Sequence, residues 1–373
     1  MPKVDQKMPR IDETPTPALV LDLDILESNI AAMTAWAKQH GIGLRPHAKT
    51  HKCATISQRQ LEAGALGLCC TKVGEAEALA AAGITRIAIT APVLTPARIR
   101  RLMDLNRQIE LTAVVDEMGN ADDLAAAAEA AGKPLKVLID VDVGTHRTGV
   151  TSAATAVTLA ALIDGRQGLE LGGLQGYAGH VQHVQDYRIR KIRTERDLQV
   201  LAEARDALRQ AGFEVAVISG GGTGSHRIDA GMGLLTEVQV GSYVFCDVDY
   251  DVVDLTGDGS RPYRNSLFVD LTVISANHPG FATVDGGYKN FATDGPVPEV
   301  TTGAPAGTSY RFFGDHFGRL EFADTYHQAN SGERVRCIVS HCDPTINLYD
   351  SYTCVRGDEV VEHWPIEGRG RGD

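Results

Sequence analysis

One pattern constrains this chain more than any other: between residues 43 and 247, short apolar runs alternate with Ala/Leu/Glu-rich stretches. The runs are "IGLRPHA", "LGLCCTKV", "RIAITAPV", "ELTAVVDE", "LKVLIDVDV", "LELGGLQGYAGH", "EVAVISGGG" and "VQVGSYVFCD". Segments such as "ADDLAAAAEAAG" and "RTERDLQVLAEARDALRQAG" lie between them, with acidic starts and glycine ends that match helix polarity. Strand followed by helix, repeated, means parallel strands joined by crossover helices. Eight repeats of this length close a (β/α)8 barrel. A doubly wound open sheet is the competing arrangement. No GxGxxG follows the first strand, which counts against it.

After about residue 250 the helical pattern stops. "RNSLFVDLTVISANHPGFATVDGGYKNF", "TSYRFFGDHFGRLEF" and "RVRCIVSHCDPTINLYDSYTCVRGDEVVEHWPI" are strand-like runs broken by Gly, Pro, Asn and Asp turns. An early strand, "PALVLDLD", precedes the first helix and is a partner for this later region. The expected division is a barrel over 26–250 and a mainly β domain built from 1–25 and 251–373. A chain of 373 residues has room for both.

The formal charge of −12 argues against nucleic acid or an anionic membrane as partner, since both need a positive face. No apolar run reaches the length of a signal peptide or a membrane span. Seven cysteines, an odd number with no CxxC, suit a reduced cytoplasmic protein and not a disulfide framework or a thiolate zinc site.

Against that acidic background "LRPHAKTHK", residues 44–52, is a local concentration of basic nitrogens. Lys49 falls at the C-terminal tip of the first barrel strand, the face on which such barrels build active sites. The loop "VISGGGTGSHRI", residues 217–228, follows strand seven. Its glycines 220, 221, 222 and 224 let backbone N–H groups converge on an anion, with hydroxyls from Thr223 and Ser225. A helix beginning after it adds a favourable dipole, and "VGSY" (Val240 to Tyr243) continues in strand eight. No Walker lysine is present, so a nucleoside triphosphate is not the expected ligand. A phosphate seat opposite a lysine that can form a Schiff base describes pyridoxal 5′-phosphate (PLP).

The ordered set "RPHAKTHK", "GEAEALA", "IDVDVGTHRTGV", "GLQGYAGHVQH", "SGGGTGS", "VGSYVF", "TDGP" and "HCDPTINLYD" resembles the fold-type III PLP enzymes. Within them it is similar to the D-threonine aldolase and D-serine dehydratase branch, with an alanine-racemase-like barrel and a C-terminal β domain. The likeness runs from about residue 16 to the C-terminus. It implies that Lys49 is the Schiff-base lysine, that Arg147 approaches the pyridine nitrogen and that Tyr177 lines cofactor and substrate. It also implies phosphate contacts from Ser219, Gly221, Gly222 and Thr223, and from Gly241, Ser242 and Tyr243. Strand alternation, which puts Arg45, His47 and Lys49 on one face, agrees with the choice of Lys49.

In the same branch His341 and Asp343 correspond to the metal-ligand pair. Spacing of i, i+2 at a strand end places both on one face and turns Cys342 away. The N/O donor set suits Mn²⁺ or Mg²⁺, with Zn²⁺ also compatible. The aldolases of the branch show His-x-Asp and the dehydratases His-x-Cys. The implied activity is therefore retro-aldol cleavage of D-β-hydroxy-α-amino acids, with D-threonine giving glycine and acetaldehyde. A D-serine or 3-hydroxy-D-aspartate dehydratase is the alternative. His183, in "HVQH", is the candidate base for the β-hydroxyl. His47 and His51 are expected to be structural, and Lys52 to be either a solvated charge or a substrate contact. "GDHFGRL" offers Asp315 as a further substrate contact, with His316 where the branch often has an acid. Ala178 departs from the more frequent "YHG". By resemblance the protein is a homodimer.

Overall fold

The structure, a computed structural model, describes residues 9–373. It forms two compact units. One takes the described residues up to Ala31 with Ser242–Val252 and Tyr263–Arg369; the other takes Ala32–Gly241, Val253–Pro262 and Gly370–Asp373.

The first strand, β1 (Ala18–Asp22), belongs to the former unit. In the latter the eight apolar runs become parallel strands. They are β2 (Gly43–Leu44), β3 (Leu68–Cys70), β4 (Arg86–Ile89), β5 (Glu110–Val115), β6 (Leu135–Asp140), β7 (Leu169–Gly176), β8 (Val217–Gly220) and β9 (Glu237–Val238). Their order is β2-β9-β8-β7-β6-β5-β4-β3, and a parallel bridge between His47 and Cys69 joins the two ends. The ring therefore closes, as the repeat count predicts. The crossover helices carry the caps their sequences advertise. Ser152 accepts the Thr155 N–H at the start of Ala153–Asp164, and Met118–Ala131 ends on Gly132 with φ +73°.

The barrel strands are shorter than the apolar runs suggest, and this corrects two expectations. β9 stops at Val238, so "VGSY" is not strand; Ser242–Val244 form a 3₁₀ turn. β2 stops at Leu44, and although ladder bonds persist from Arg45 N–H to Val238 (3.0 Å) and His47 N–H to Val240 (2.9 Å), Ala48–Thr50 coil into a 3₁₀ turn. Pleat alternation thus ends before Lys49. The turn, and not the strand face, aims that side chain.

The other unit is built on a nine-stranded sheet. Its strands are β1, β10 (Leu267–Ser275), β11 (Phe281–Val284), β12 (Glu299–Thr302), β13 (Ser309–Phe312), β14 (Gly318–Glu321), β15 (Arg334–Ile338), β16 (Ser351–Arg356) and β17 (Glu359–Pro365). β1 pairs antiparallel with β10 and parallel with β16, so the early strand sits inside the late sheet. One short helix, Cys342–Ile346, interrupts the expected all-β pattern. All seven cysteines are buried. Among the described residues no helix is long and apolar enough to cross a membrane.

Candidate active site

Lys49 is half-buried in the 3₁₀ turn after β2, and His47 shapes that turn. The Lys49 backbone N–H donates to His47 Nδ1 (3.3 Å), which leaves the ring hydrogen of a neutral imidazole on Nε2, 3.1 Å from Thr90 Oγ1. Thr90 passes the chain on to the Cys70 carbonyl (3.3 Å). His51 is fully buried and accepts the Cys53 N–H (3.2 Å) while facing Gln60 Oε1 (3.2 Å). Both histidines therefore serve as hydrogen-bonding struts. Lys52 is not a solvated charge. Its Nζ meets Glu75 at 2.9 Å with both side chains at most 10% exposed, and its backbone is left-handed at φ +49°. The buried ion pair holds the strained end of the Lys49 turn.

The glycine-rich loop first satisfies itself. Gly224 N–H donates to Gln182 Oε1 (2.9 Å), and Ser225 Oγ–H donates to Asp229 (2.7 Å) while receiving the Gln182 amide (2.9 Å). The Ser225 hydroxyl is therefore spent inside the loop. Ser219 Oγ is likewise turned into the barrel, where it accepts from Gln239 (2.9 Å). The arc Gly221–Thr223 and Gly241 belong to the same unit, and within the arc the Gly222 N–H also turns inward, to Ser225 Oγ (3.3 Å). Gly222 has no room for a side chain: a Cβ there would meet Gln182 Oε1 at 2.6 Å and the Tyr177 ring at 3.3 Å. At Gly241 a Cβ would come 2.5 Å from Thr50 Oγ1, a buried hydroxyl with no hydrogen-bond partner. An unsatisfied hydroxyl next to Cβ-free backbone, one residue from Lys49, is a seat that a phosphate oxygen would complete. These residues fit PLP.

Arg147 stands 5.9 Å from the Tyr177 ring, so the two side chains implicated in cofactor contact are neighbours. The "GTHRTG" loop that carries the arginine is shaped by Asp142, which accepts the N–H groups of Gly144 and His146 (both 2.9 Å). Asp140 anchors the same loop by accepting the Thr148 hydroxyl (2.7 Å). Asp140 also receives Gln175 Nε2 (2.9 Å), and Gln175 Oε1 receives Gln239 (3.1 Å). A polar chain thus crosses the barrel interior beneath the site. Burial pushes the Asp140 carboxyl up to about 6, against the pull of its hydrogen bonds. Asp229 is pushed up to about 7 by burial, against the pull of the Ser225 hydroxyl it receives from the glycine-rich loop. His226 is pushed down to about 3 by burial and donates Nδ1–H to the Thr223 carbonyl (2.8 Å), a neutral brace for the arc.

His183 is exposed, after the turn Gly179–Val181. Its neighbour His180 is committed to Asp197 (2.8 Å). The His183 segment is secured by Arg190, which is fully buried. Arg190 donates from Nε to the Gly224 carbonyl (2.7 Å) and from its other nitrogens to the carbonyls of Val184, Gln185 and Asp254. Neither Arg190 nor Gln182 stood out in the sequence, although Gln182 lies inside the quoted "HVQH".

In the other unit, His341 and Asp343 do not sit on a pleat. His341 is the N-cap of the Cys342–Ile346 helix and Asp343 is in its first turn. Cys342 still turns inward, because its N–H is held by the buried Asp247 (2.8 Å) and its side chain is fully buried. Burial raises the Asp247 carboxyl. His341 Nδ1 lies 2.9 Å from Asp294 of "TDGP". Among the described residues no three His, Cys, Asp or Glu side chains converge on a metal position. A histidine with one nitrogen engaged by a carboxylate, next to a second carboxylate, fits a divalent cation that keeps open positions. Ser242 and Tyr243 are buried, with the Tyr243 ring 5.8 Å from that of Tyr263. Asp315 is 70% exposed and 3.8 Å from Lys289, a surface pair.

Residues 21–248 match the family described as alanine racemase, N-terminal domain, and residues 266–355 match the putative serine dehydratase domain. A D-threonine aldolase of Arthrobacter sp. is 40% identical over 355 residues, covering 95% of this chain and 93% of its own. A 3-hydroxy-D-aspartate aldolase of Paracoccus denitrificans is 36% identical, covering 98% and 95%. The crystal structure of D-threonine aldolase from Filomicrobium marinum superposes with a TM-score of 0.94 at 37% identity, covering 98% of this chain and 99% of that one.

Proposed function

We propose, for a chain that belongs to the D-threonine aldolase family of alanine-racemase-like barrels, that it is a lyase cleaving D-β-hydroxy-α-amino acids to glycine and an aldehyde, with PLP and a divalent metal. The cofactor reading rests on the unsatisfied Thr50 hydroxyl beside Gly241, in the turn that carries Lys49. PLP would supply the electron sink for the Cα–Cβ bond. The metal, Mn²⁺ or Mg²⁺ with Zn²⁺ compatible, would supply Lewis acidity at the β-hydroxyl.

The protein's own part is positioning and proton handling. Lys49 offers its ε-amine as the covalent anchor for the aldehyde. Gly221–Thr223 and Gly241 seat the phosphate, with Ser242 and Tyr243 next in the chain. Arg147 would face the pyridine nitrogen as a donor that keeps its own proton. His183 takes the proton from the β-hydroxyl oxygen. His341 and Asp343 hold the metal. The buried cysteines suit a reducing compartment, and the enzyme is proposed to be a cytoplasmic homodimer.

D-Threonine with PLP and Mn²⁺ is expected to yield glycine and acetaldehyde in equal amounts. Chelation by EDTA is expected to lower kcat/KM by about a hundredfold or more, the rate equivalent of several kcal/mol of Lewis-acid stabilisation. Pyruvate from D-serine or oxaloacetate from 3-hydroxy-D-aspartate, without glycine, overturns the aldolase in favour of the dehydratase. Gly241→Ala tests the phosphate seat separately. The added methyl overpacks Thr50, and PLP affinity measured by equilibrium dialysis is expected to fall by about tenfold to a hundredfold.

A further inference from the structure

Asp294 lies in the "TDGP" string, to which the sequence assigned no role, and its position is fixed by a set of hydrogen bonds. Its Oδ2 lies 2.9 Å from His341 Nδ1 across 47 residues of sequence. The loop that carries it is fastened to the His341 segment on both sides of the backbone. Ala292 N–H donates to Thr345 Oγ1 (3.0 Å), and the Ala292 carbonyl accepts from Ser340 Oγ (2.8 Å). Thr345 in turn donates to the His341 carbonyl (2.7 Å), and Cys342 N–H is tied to Asp247. The Gly295 backbone lies against His341, where a Cβ would be 3.6 Å from the His341 Cβ. Asp294 is thus delivered to the imidazole by a segment pair held together through four hydrogen bonds.

With the carboxylate 55% exposed, this pair contributes little to stability. Its consequence is chemical. A neutral imidazole that donates Nδ1–H to a carboxylate carries its lone pair on Nε2, and its ring rotation is fixed. We infer that Asp294 is a positioning residue for the metal site: it holds His341 in the Nδ1–H tautomer, leaving Nε2 as the ligating nitrogen beside Asp343. This rests on the reading of His341 as a metal ligand and names the partner that makes it a good one. Such outer carboxylates tune affinity by raising ligand basicity and removing the cost of orienting the ring.

The test uses the PLP-loaded enzyme stripped of metal, titrated with Mn²⁺ and followed by the electron paramagnetic resonance of the free ion. His341→Ala is expected to abolish binding. Asp294→Ala is expected to weaken it by about ten- to a hundredfold, with an unchanged melting temperature for the metal-free protein. Asp294→Asn keeps an acceptor for Nδ1–H and is expected to recover most of the loss. In the metal-free protein, ¹⁵N spectra of labelled histidine should show His341 protonated at Nδ1, and Asp294→Ala should move the proton to Nε2. If His341→Ala binds Mn²⁺ normally, the metal reading itself fails. If His341→Ala loses Mn²⁺ but Asp294→Ala does not, the metal reading stands and the positioning role is wrong. An Asp294→Asn variant as weak as Asp294→Ala, with the tautomer unchanged in both, would mean that the charge and not the tautomer matters, and would also overturn the inference.

Discussion

Lys49→Ala is expected to lower kcat/KM on D-threonine by at least a factor of about a thousand, the scale on which members of a catalytic unit fail when removed singly. The substitution removes the covalent anchor but spares the turn's architecture. The bond to His47 Nδ1 comes from the Lys49 backbone N–H, and Thr50 and the Lys52–Glu75 pair keep their places. Loss of activity should therefore come without loss of folding. Borohydride treatment of the wild-type enzyme followed by peptide mapping should place the pyridoxyl group on Lys49. Lys52→Ala behaves differently in kind. It leaves the buried Glu75 carboxylate without its cation, which costs about 3–5 kcal/mol of stability, while the tag stays on Lys49. A tag on Lys52, or a Lys49→Ala enzyme that turns over normally, would end the assignment.

Arg190→Met is expected to be the most damaging substitution away from the cofactor. The guanidinium is fully buried, and its hydrogens go to carbonyls of Val184, Gln185, Gly224 and Asp254. Methionine fills much of the volume but donates nothing, so four backbone acceptors, one buried and three partly buried, lose a charged donor at once. Each buried hydrogen bond to a charged group contributes about 1.5–3 kcal/mol. The loss of the set is expected to cost at least about 3–5 kcal/mol in denaturant unfolding. The same bonds tie the segment after His183 to the glycine-rich loop, so PLP affinity and turnover should fall together in whatever fraction remains folded. Arg190→Lys is expected to restore only part of this, since an ammonium has three donors and no planar fork to span four carbonyls. Full rescue by lysine would show that charge alone, and not the fork, holds the two loops.

The architecture was legible because it is written in periodicity. Alternation of apolar runs with helical stretches recurs along neighbouring residues, and element type follows from neighbours. Eight repeats imply closure, and the ring closes through His47 and Cys69. The lysine turn, the glycine arc and the His-x-Asp pair were also visible, because each is a short local string. What each string does in space was not. Pleat logic placed Lys49 and Asp343 on strand faces, whereas 3₁₀ and α turns carry them, since a single turn is decided by caps such as His47 Nδ1 and Asp247. The loop's composition offered the Ser225 hydroxyl to a phosphate and the resemblance offered that of Ser219, and their partners Asp229 and Gln239 claim them first.

The remaining machinery is long-range. Arg190 reaches Asp254 over 64 residues, Gln182 reaches Gly224 over 42, and Asp294 reaches His341 over 47. No pattern within a window of sequence encodes such pairs, because a side chain acquires these partners only after the closing of barrel or sheet brings distant loops to bonding distance. By itself, then, the sequence determined which elements form, in what order, and which residue types are available for chemistry. Tertiary structure alone decided where those side chains point and which hydrogen bonds they have already committed. Hydrogen bonding acts over about 3 Å in space whatever the separation along the chain.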